Sequence, residues 1–180
     1  MGITERGFWT LVHGMCFGGL FLLAGSGALV ELKRFASSSP PRFLRNYLGV
    51  MALLAWAAVL TGAYVIYPWY RAGAPAGASL AGFPQRLLLS QPSTAGWHSI
   101  GMEWKEHVAW FAPMAITMAW AVVGVYGEAL ARMTTLRRTI LGFVAAAVLA
   151  AAIAGFFGAM LSKNAPVQGG RSVVLAMGGR

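Results

Sequence analysis

The sequence predicts an all-α integral membrane protein, a bundle of four transmembrane helices with a long outward loop between the second and third. Only 11% of the 180 residues are charged, whereas soluble domains carry about 25%. The hydrophobic fraction is 58% and the mean hydropathy is +0.64. The charged residues cluster between long apolar runs, which is typical of a chain that crosses a membrane several times. The composition therefore excludes a water-soluble globule, and we expect residues 1–180 to form a single membrane domain.

Four apolar runs are each long enough to cross the membrane as a helix. They cover residues 8–30, 47–67, 106–127 and 140–161. About 20 helical residues, at a rise of 1.5 Å each, span the ~30 Å of hydrocarbon. A barrel strand would instead alternate apolar and polar residues along its length, so strands are disfavoured.

The basic residues predict the orientation of the chain. Those of the first and third connections are Lys33, Arg34, Arg42, Arg45, Arg132, Arg137 and Arg138. The longer second connection, residues 68–106, holds Arg71, Arg86 and Lys105. The positive-inside rule places the shorter, more basic connections in the cytoplasm. We therefore expect a bacterial inner-membrane protein with both termini and the 68–106 loop on the outer, periplasmic side.

The net charge of +9 does not predict nucleic-acid binding. The bases flank apolar runs, so they are better placed to orient the chain in a bilayer that contains anionic lipids. The lipid bilayer is therefore the expected partner, and no nucleic acid is expected. Cys16 is the only cysteine, which excludes an internal disulfide and any metal site built from several cysteines.

Aromatic and small residues predict how the helices sit and pack. Rings around the second connection predict a belt at the membrane interface. These rings are Tyr67, Trp69, Tyr70, Trp97, Trp104 and Trp110. Phe83 with the leucines 87–89 predicts a short helix that lies on the membrane or on a partner. Gly14 and Gly18 form a small-residue pair on the first span, which predicts close helix packing there.

Three histidines, His13, His98 and His107, are candidates for chemistry. In a four-span protein the starts of the first and third helices and the second connection lie on one side, so the three imidazoles share one leaflet. His13 lies about five residues, or roughly 7.5 Å, into its run. An unpaired polar side chain is costly at that depth, and function is the default hypothesis. The charged residues on the same side are Arg71, Arg86, Glu103, Lys105 and Glu106.

Two helices that each offer one histidine at similar depth predict a clamp for haem b. His13 and His107 are then the iron ligands, since neutral imidazole is a leading ligand for iron. Arg71 or Arg86 is placed to pair with the haem propionates. If the third helix begins before His98, the nine residues to His107 turn about 900° at 100° per residue, so the two rings face opposite sides. If His98 lies in a loop, this restriction lapses.

A quinone site is the alternative cofactor site. His98 and Glu103, near the interface and among aromatic rings, are suited to hydrogen-bond a quinone head group and to pass its protons to water. A di-iron site is disfavoured. Glu103 and His107 are four residues apart, whereas the di-iron motif Glu-x-x-His has a spacing of three.

The same residues also have structural interpretations. His13 is able to bond a carbonyl of a neighbouring helix and do nothing else. Glu106 suits the positive N-terminal end of the third helix, and Lys105 is long enough to reach the interface by snorkelling. Glu128 and Arg132, four residues apart, favour a surface ion pair.

The sequence resembles small four-helix membrane cytochrome b subunits, which anchor or wire peripheral redox enzymes. The residues that carry the likeness are Phe8, Trp9 and His13 on the first span and Trp104, Lys105, Glu106 and His107 at the third. The resemblance implies electron transfer between a quinone pool and a partner on the outer side. It also implies that other subunits of a membrane redox complex contact the 68–106 loop and the C-terminal tail, residues 164–180.

Two functions are therefore expected of this chain. The first is an integral membrane subunit of a respiratory or photosynthetic electron-transfer complex, which binds haem b, a quinone or both and is not catalytic alone. The second is a cofactor-free structural or assembly subunit of a larger membrane complex. The smooth glycine surfaces and the aromatic second connection favour the second function.

Overall fold

The computed structural model describes residues 3–34 and 40–173. The helices are α1 Glu5–Arg34, α2 Pro41–Tyr70, α3 Pro84–Leu89, α4 Pro92–Ala131 and α5 Thr134–Asn164. The strands are β1 Ile3–Thr4 and β2 Ser172–Val173. Four of the helices, α1, α2, α4 and α5, are long and apolar enough to cross a membrane. This confirms the prediction of an all-helical protein with four candidate spans, although residues 174–180 of the tail lie outside the described residues.

The third span is longer than its apolar run. Its helix begins at Pro92 rather than near residue 106, because Pro92 stands in the first helical turn, where a missing N–H costs nothing, and Gln91 before it is extended. The predicted loop 68–106 is therefore largely helical, and irregular chain is concentrated in residues 71–83. The apolar pattern underestimated the length of this helix, because a polar segment is able to continue a helix beyond the membrane.

Within α4 the regular α-helix ends at Tyr126, because Gly127 has a φ of +47°. Glycine enters this region without the penalty that a Cβ imposes. A 3₁₀ turn, Gly127–Ala131, follows and changes the rotation from one residue to the next. The predicted ion pair between Glu128 and Arg132 is absent from the ion pairs of the described residues, since its i,i+4 spacing assumes a regular α-helix.

The core lies between the four long helices and consists of aliphatic and small side chains. Leu48 of α2, Ile116 of α4 and Val144 of α5 are fully buried. The outer surface is also apolar. Leu53 and Val125 are 71% and 79% exposed, which a protein in water would not sustain over all its spans. An apolar outer surface is compatible with contact to the lipid bilayer.

Three of the long helices contain π-helical segments. These are Val12–Gly19 in α1, Gly62–Ile66 in α2 and Trp104–Val108 in α4. They lie near one another at one end of the bundle, where His13 of the first segment contacts Gly62 of the second. Such segments are rare and are frequent at functional sites.

The first and last described segments of the chain meet at this same end. Strand β1 pairs antiparallel with β2, with Ile3 opposite Val173. Glu5 and Arg171 form an ion pair of 3.6 Å. Arg6 donates hydrogen bonds to the carbonyls of Gly82, at 3.1 Å, and of residue 168, at 3.2 Å. The termini and residues 71–83 are therefore tied together on one side of the four spans.

The short helix α3 packs on the protein itself. Leu88 is fully buried and belongs to a second apolar cluster with Tyr70, Met102 and Leu161. Leu89 is 42% exposed. The predicted short helix is present, and its buried side faces α2, α4 and α5.

Close helix packing occurs at other glycines than the predicted pair. A Cβ at Gly14 would meet nothing within 4 Å, and one at Gly18 would meet only a carbonyl of its own helix. At Gly25 of α1, by contrast, a Cβ would lie 2.6 Å from Cγ2 of Val148 in α5. The absence of a side chain at Gly25 therefore lets α1 and α5 approach.

We predict that Gly25→Ala lowers the free energy of unfolding by about 1–3 kcal/mol, the usual cost of overpacking a core. Val148 is β-branched and has little rotamer freedom with which to yield. The matched control is Gly142→Ala in α5, where a Cβ would meet nothing within 4 Å and where alanine favours the helix by up to about 1 kcal/mol. Thermal unfolding in detergent, followed by circular dichroism, compares the two. Equal midpoints would contradict the packing of Gly25 on Val148.

Candidate functional site

His13 links the first two spans. Its Nδ1 lies 2.8 Å from the carbonyl oxygen of Ala58, and because a carbonyl only accepts, Nδ1 is the protonated nitrogen. The ring packs on Gly62, where a Cβ would lie 2.8 Å from Cε1 of the histidine. The structural interpretation of His13, a bond to a neighbouring carbonyl, is therefore present. The bond leaves the lone pair of Nε2 available to a ligand.

His107 occupies different surroundings. Its side chain is 69% exposed on α4, and Nδ1 lies 3.3 Å from a carboxylate oxygen of Glu103 and 3.1 Å from the carbonyl of the same residue. His107 and His13 share no hydrogen bond or ring contact. Among the described residues no cluster of three or more histidine, cysteine or acidic side chains is able to hold a metal ion.

Lys105 takes the inward position that the sequence suggested for His107. It is half-buried, and a Cβ on Gly158 of α5 would lie 3.2 Å from its Nζ. The ammonium is also close enough to His13 to act on it electrostatically. Within the described part of the chain it forms no hydrogen bond or ion pair. Its three donors therefore have no acceptor among the described residues.

Glu106 connects α4 with the end of α2. One of its oxygens lies 4.0 Å from Nη1 of Arg71. The Arg71 guanidinium in turn lies 5.4 Å from the centroid of the Tyr67 ring. The expected role of Glu106 at a helix N-terminus is wrong, because α4 begins at Pro92 and the N-terminal field fades within the first turn.

His98 joins three helices. Its Nδ1 lies 2.8 Å from the hydroxyl of Tyr70, which is buried, and its Nε2 lies 3.4 Å from the side-chain nitrogen of Gln85 in α3. His98 is therefore part of the helix α4. Two histidines nine residues apart on one straight helix face opposite sides, so His98 and His107 are not placed to bind one ligand together. The two rings do differ in direction, since His98 contacts α2 and α3 whereas His107 is exposed.

These contacts define a polar cluster at the end of the bundle where the π-helical segments lie. Its members are His13, Tyr67, Tyr70, Arg71, Gln85, His98, Lys105 and Glu106. Of the other predicted site residues, Arg86 is exposed on α3 and Glu103 is 71% exposed beside His107. The sequence assigned Tyr67 and Tyr70 only to an interfacial belt. Both precede the candidate residue Arg71 by less than two helical turns, and this proximity was a signal that could have identified them.

Aromatic rings line the inner side of α4 near this cluster. The Trp104 indole donates a hydrogen bond of 3.1 Å to the carbonyl of Ala150 in α5, and its ring lies 6.4 Å from that of Phe157. Trp104 thereby fixes the rotation of α4 next to Lys105. The cluster thus combines hydrogen-bond donors, titratable groups and flat apolar walls at one depth.

No family model, no curated protein and no solved structure matches this chain. Fold alone does not establish function, which depends on the chemistry of a site. The function of this chain is therefore inferred from the polar cluster.

We predict that Tyr70→Phe lowers the free energy of unfolding by about 1 kcal/mol, because it removes a hydroxyl that bonds His98 in a buried position. The matched control is Tyr64→Phe in the same helix, where the ring is 73% exposed. Unfolding in detergent at increasing denaturant measures both changes. A Tyr70→Phe protein as stable as the Tyr64→Phe protein would show that the bond to His98 adds nothing.

Proposed function

We propose that this chain is an integral membrane subunit of a respiratory or photosynthetic electron-transfer complex and that the polar cluster binds a quinone head group. The proposal is carried by one observation, the half-buried Lys105 ammonium that has no partner among the described residues. A charged donor in such surroundings is costly without an acceptor and marks a functional site. The three π-helical segments around it support the same interpretation.

A quinone fits the chemistry of this position. Its carbonyl oxygens only accept hydrogen bonds, its ring is flat and apolar, and it reaches the protein from the bilayer. Gly62 and Gly158 carry no side chain, which lets the His13 ring and the Lys105 ammonium lie close to the backbones of α2 and α5. Lys105 would donate to one carbonyl oxygen, and Trp104 would provide an apolar wall.

The outer residues of the cluster supply a route for protons. Reduction of a quinone to a quinol takes two electrons, here from a redox centre of a partner subunit, and two protons from water. Glu106 and Arg71 are 27% and 46% exposed, and the pair formed by His98 and Tyr70 lies beside them. Side chains that exchange protons over hydrogen-bond distances suit such a relay. In this proposal Lys105 and His13 hold the head group, and Glu106 and His98 deliver protons.

The partner subunits and the membrane side belong to the same proposal. The excess of basic residues in the first and third connections supports an outer, periplasmic position for the cluster in a bacterial inner membrane. Other subunits would then dock on residues 71–89 and on the strap of β1 and β2, which cover the same end. The supporting observations are that Glu106 pairs with Arg71 at the start of these segments and that Gln85 of α3 contacts His98.

Haem b is a second candidate cofactor, favoured by the hydrogen bonds of the two histidines. Nδ1 of His13 and Nδ1 of His107 both face oxygen acceptors, which leaves each Nε2 available to iron, as in many metal sites. Arg71 or Arg86 would hold the propionates. Because His107 is exposed on α4 while His13 lies against α2, the geometry favours the quinone over a haem shared by both rings.

We predict that Lys105→Met lowers the affinity for a short-chain ubiquinone or menaquinone analogue by about 10- to 100-fold, since a hydrogen bond from a charged group contributes about 1.5–3 kcal/mol. Titration calorimetry of the purified protein in detergent measures the affinity. Lys163→Met removes the same charge from an exposed position at the end of α5 and should leave the affinity unchanged. Equal affinities in the two variants, with intact helical spectra, would remove Lys105 from the site.

The haem candidate predicts a reduced-minus-oxidised absorbance difference in the purified protein. The signal should disappear in His13→Ala and in His107→Ala and persist in His98→Ala, because His98 already bonds Tyr70 and Gln85. Intact protein without such absorbance excludes haem b. A protein that binds neither haem nor quinone would be the cofactor-free structural or assembly subunit.

A further inference from the structure

A cleft lies at the end of the bundle opposite the polar cluster, between the start of α2 and the end of α4. Its wider part has a volume of about 470 Å³. The residues that line this part are Pro40, Pro41, Arg42, Arg45, Val123, Gly124, Gly127 and Glu128. A second part of about 340 Å³ adjoins it and is lined by Arg45, Trp120, Ala121, Gly124 and Val125. Arg45 and Gly124 line both parts, so the two parts are adjacent.

The wider part carries unpaired positive charge. Arg42 and Arg45 are three residues apart on α2 and therefore lie on one helix face. Both are exposed, and neither forms a hydrogen bond or ion pair with the described residues. Glu128 is the acidic residue of the lining. Two guanidinium groups and one carboxylate leave a net charge of +1, which complements the single negative charge of one phosphodiester.

The second part is apolar and faces outward from the spans. Trp120 is 40% exposed and Val125 is 79% exposed. Gly124 keeps the cleft open between them, and a Cβ there would meet only the side-chain stem of Arg45, at 3.7 Å. The positively charged part of the cleft is suited to the head group of a lipid. The apolar part, which lies along a candidate membrane-spanning helix, is suited to an acyl chain.

We infer that this cleft binds an anionic phospholipid with one phosphodiester and a hydroxylated head group, of the phosphatidylglycerol class. Arg42 and Arg45 hold the phosphate through charge-assisted hydrogen bonds, and Glu128 accepts a hydrogen bond from a head-group hydroxyl. One acyl chain lies along Trp120 and Val125. Basic recesses between membrane helices are suited to anionic head groups, and the single net charge selects one phosphate over two.

Native mass spectrometry of the purified full chain tests this site. The probes are phosphatidylglycerol and phosphatidylcholine with identical acyl chains, added to the protein in detergent. We expect one tightly bound phosphatidylglycerol, at least tenfold preferred over phosphatidylcholine. The double variant Arg42→Gln with Arg45→Gln should lose at least tenfold of this preference. The double variant Arg132→Gln with Arg138→Gln, which removes equal charge from exposed positions at the same end, should keep it.

A second variant tests the apolar part without changing the charge. Gly124→Leu should fill the junction of the cleft and lower phosphatidylglycerol binding at least fivefold, and its folding is expected because the site has room for a Cβ. Equal losses in the two arginine double variants would indicate general attraction to anionic lipid and overturn the site. Unchanged binding in Gly124→Leu, or equal binding of both lipids by the wild type, would overturn it as well.

Discussion

The arrangement of this protein depends on how polar side chains find partners inside a membrane-spanning bundle. Apolar surroundings supply no water, so each buried donor or acceptor needs a protein group or a ligand. His13 bonds the carbonyl of Ala58, His98 bonds Tyr70 and Gln85, and Glu106 pairs with Arg71. Lys105 is half-buried, and it forms no hydrogen bond or ion pair with the described residues. The members of the cluster connect the helices, but the Lys105 ammonium has no acceptor among the described residues. This missing acceptor is the basis for assigning the cluster a ligand.

The helices make room for this cluster by departing from regular α geometry. An extra residue in a helical turn rotates everything beyond it by about 100° relative to the α register. In α4 the π-helical segment contains Lys105, Glu106 and His107, which have three different environments: a half-buried position beside α5, the end of α2 and the exposed surface. Glycines at positions 62 and 158 keep space beside His13 and Lys105. π-Helical backbone and glycine residues thus occur together where polar side chains enter the bundle.

The two ends of the bundle differ in chemistry. The end with the termini holds acidic, aromatic and histidine side chains under residues 71–89 and the paired strands. The opposite end is basic and contains the cleft of Arg42 and Arg45. Such asymmetry suits a protein that anionic lipid holds in one orientation. The two proposed ligands, a quinone and an anionic phospholipid, would therefore lie at opposite ends of the helices, and each would use side chains that the other does not.

The sequence by itself determined the helical class, the four candidate spans and the placement of the three histidines at one end, because length, apolar composition and parity are properties of the local chain. It misplaced the start of α4, since polarity marks the membrane boundary and not the end of a helix. Only the tertiary structure decided three other features. It decided which of Lys105 and His107 faces inward and that Gly25 rather than Gly14 permits close packing. It also decided that Tyr70 contacts His98. The physical reason is that these outcomes depend on the rotation of each helix about its axis, which π-helical segments shift and which contacts between residues far apart in the chain then fix.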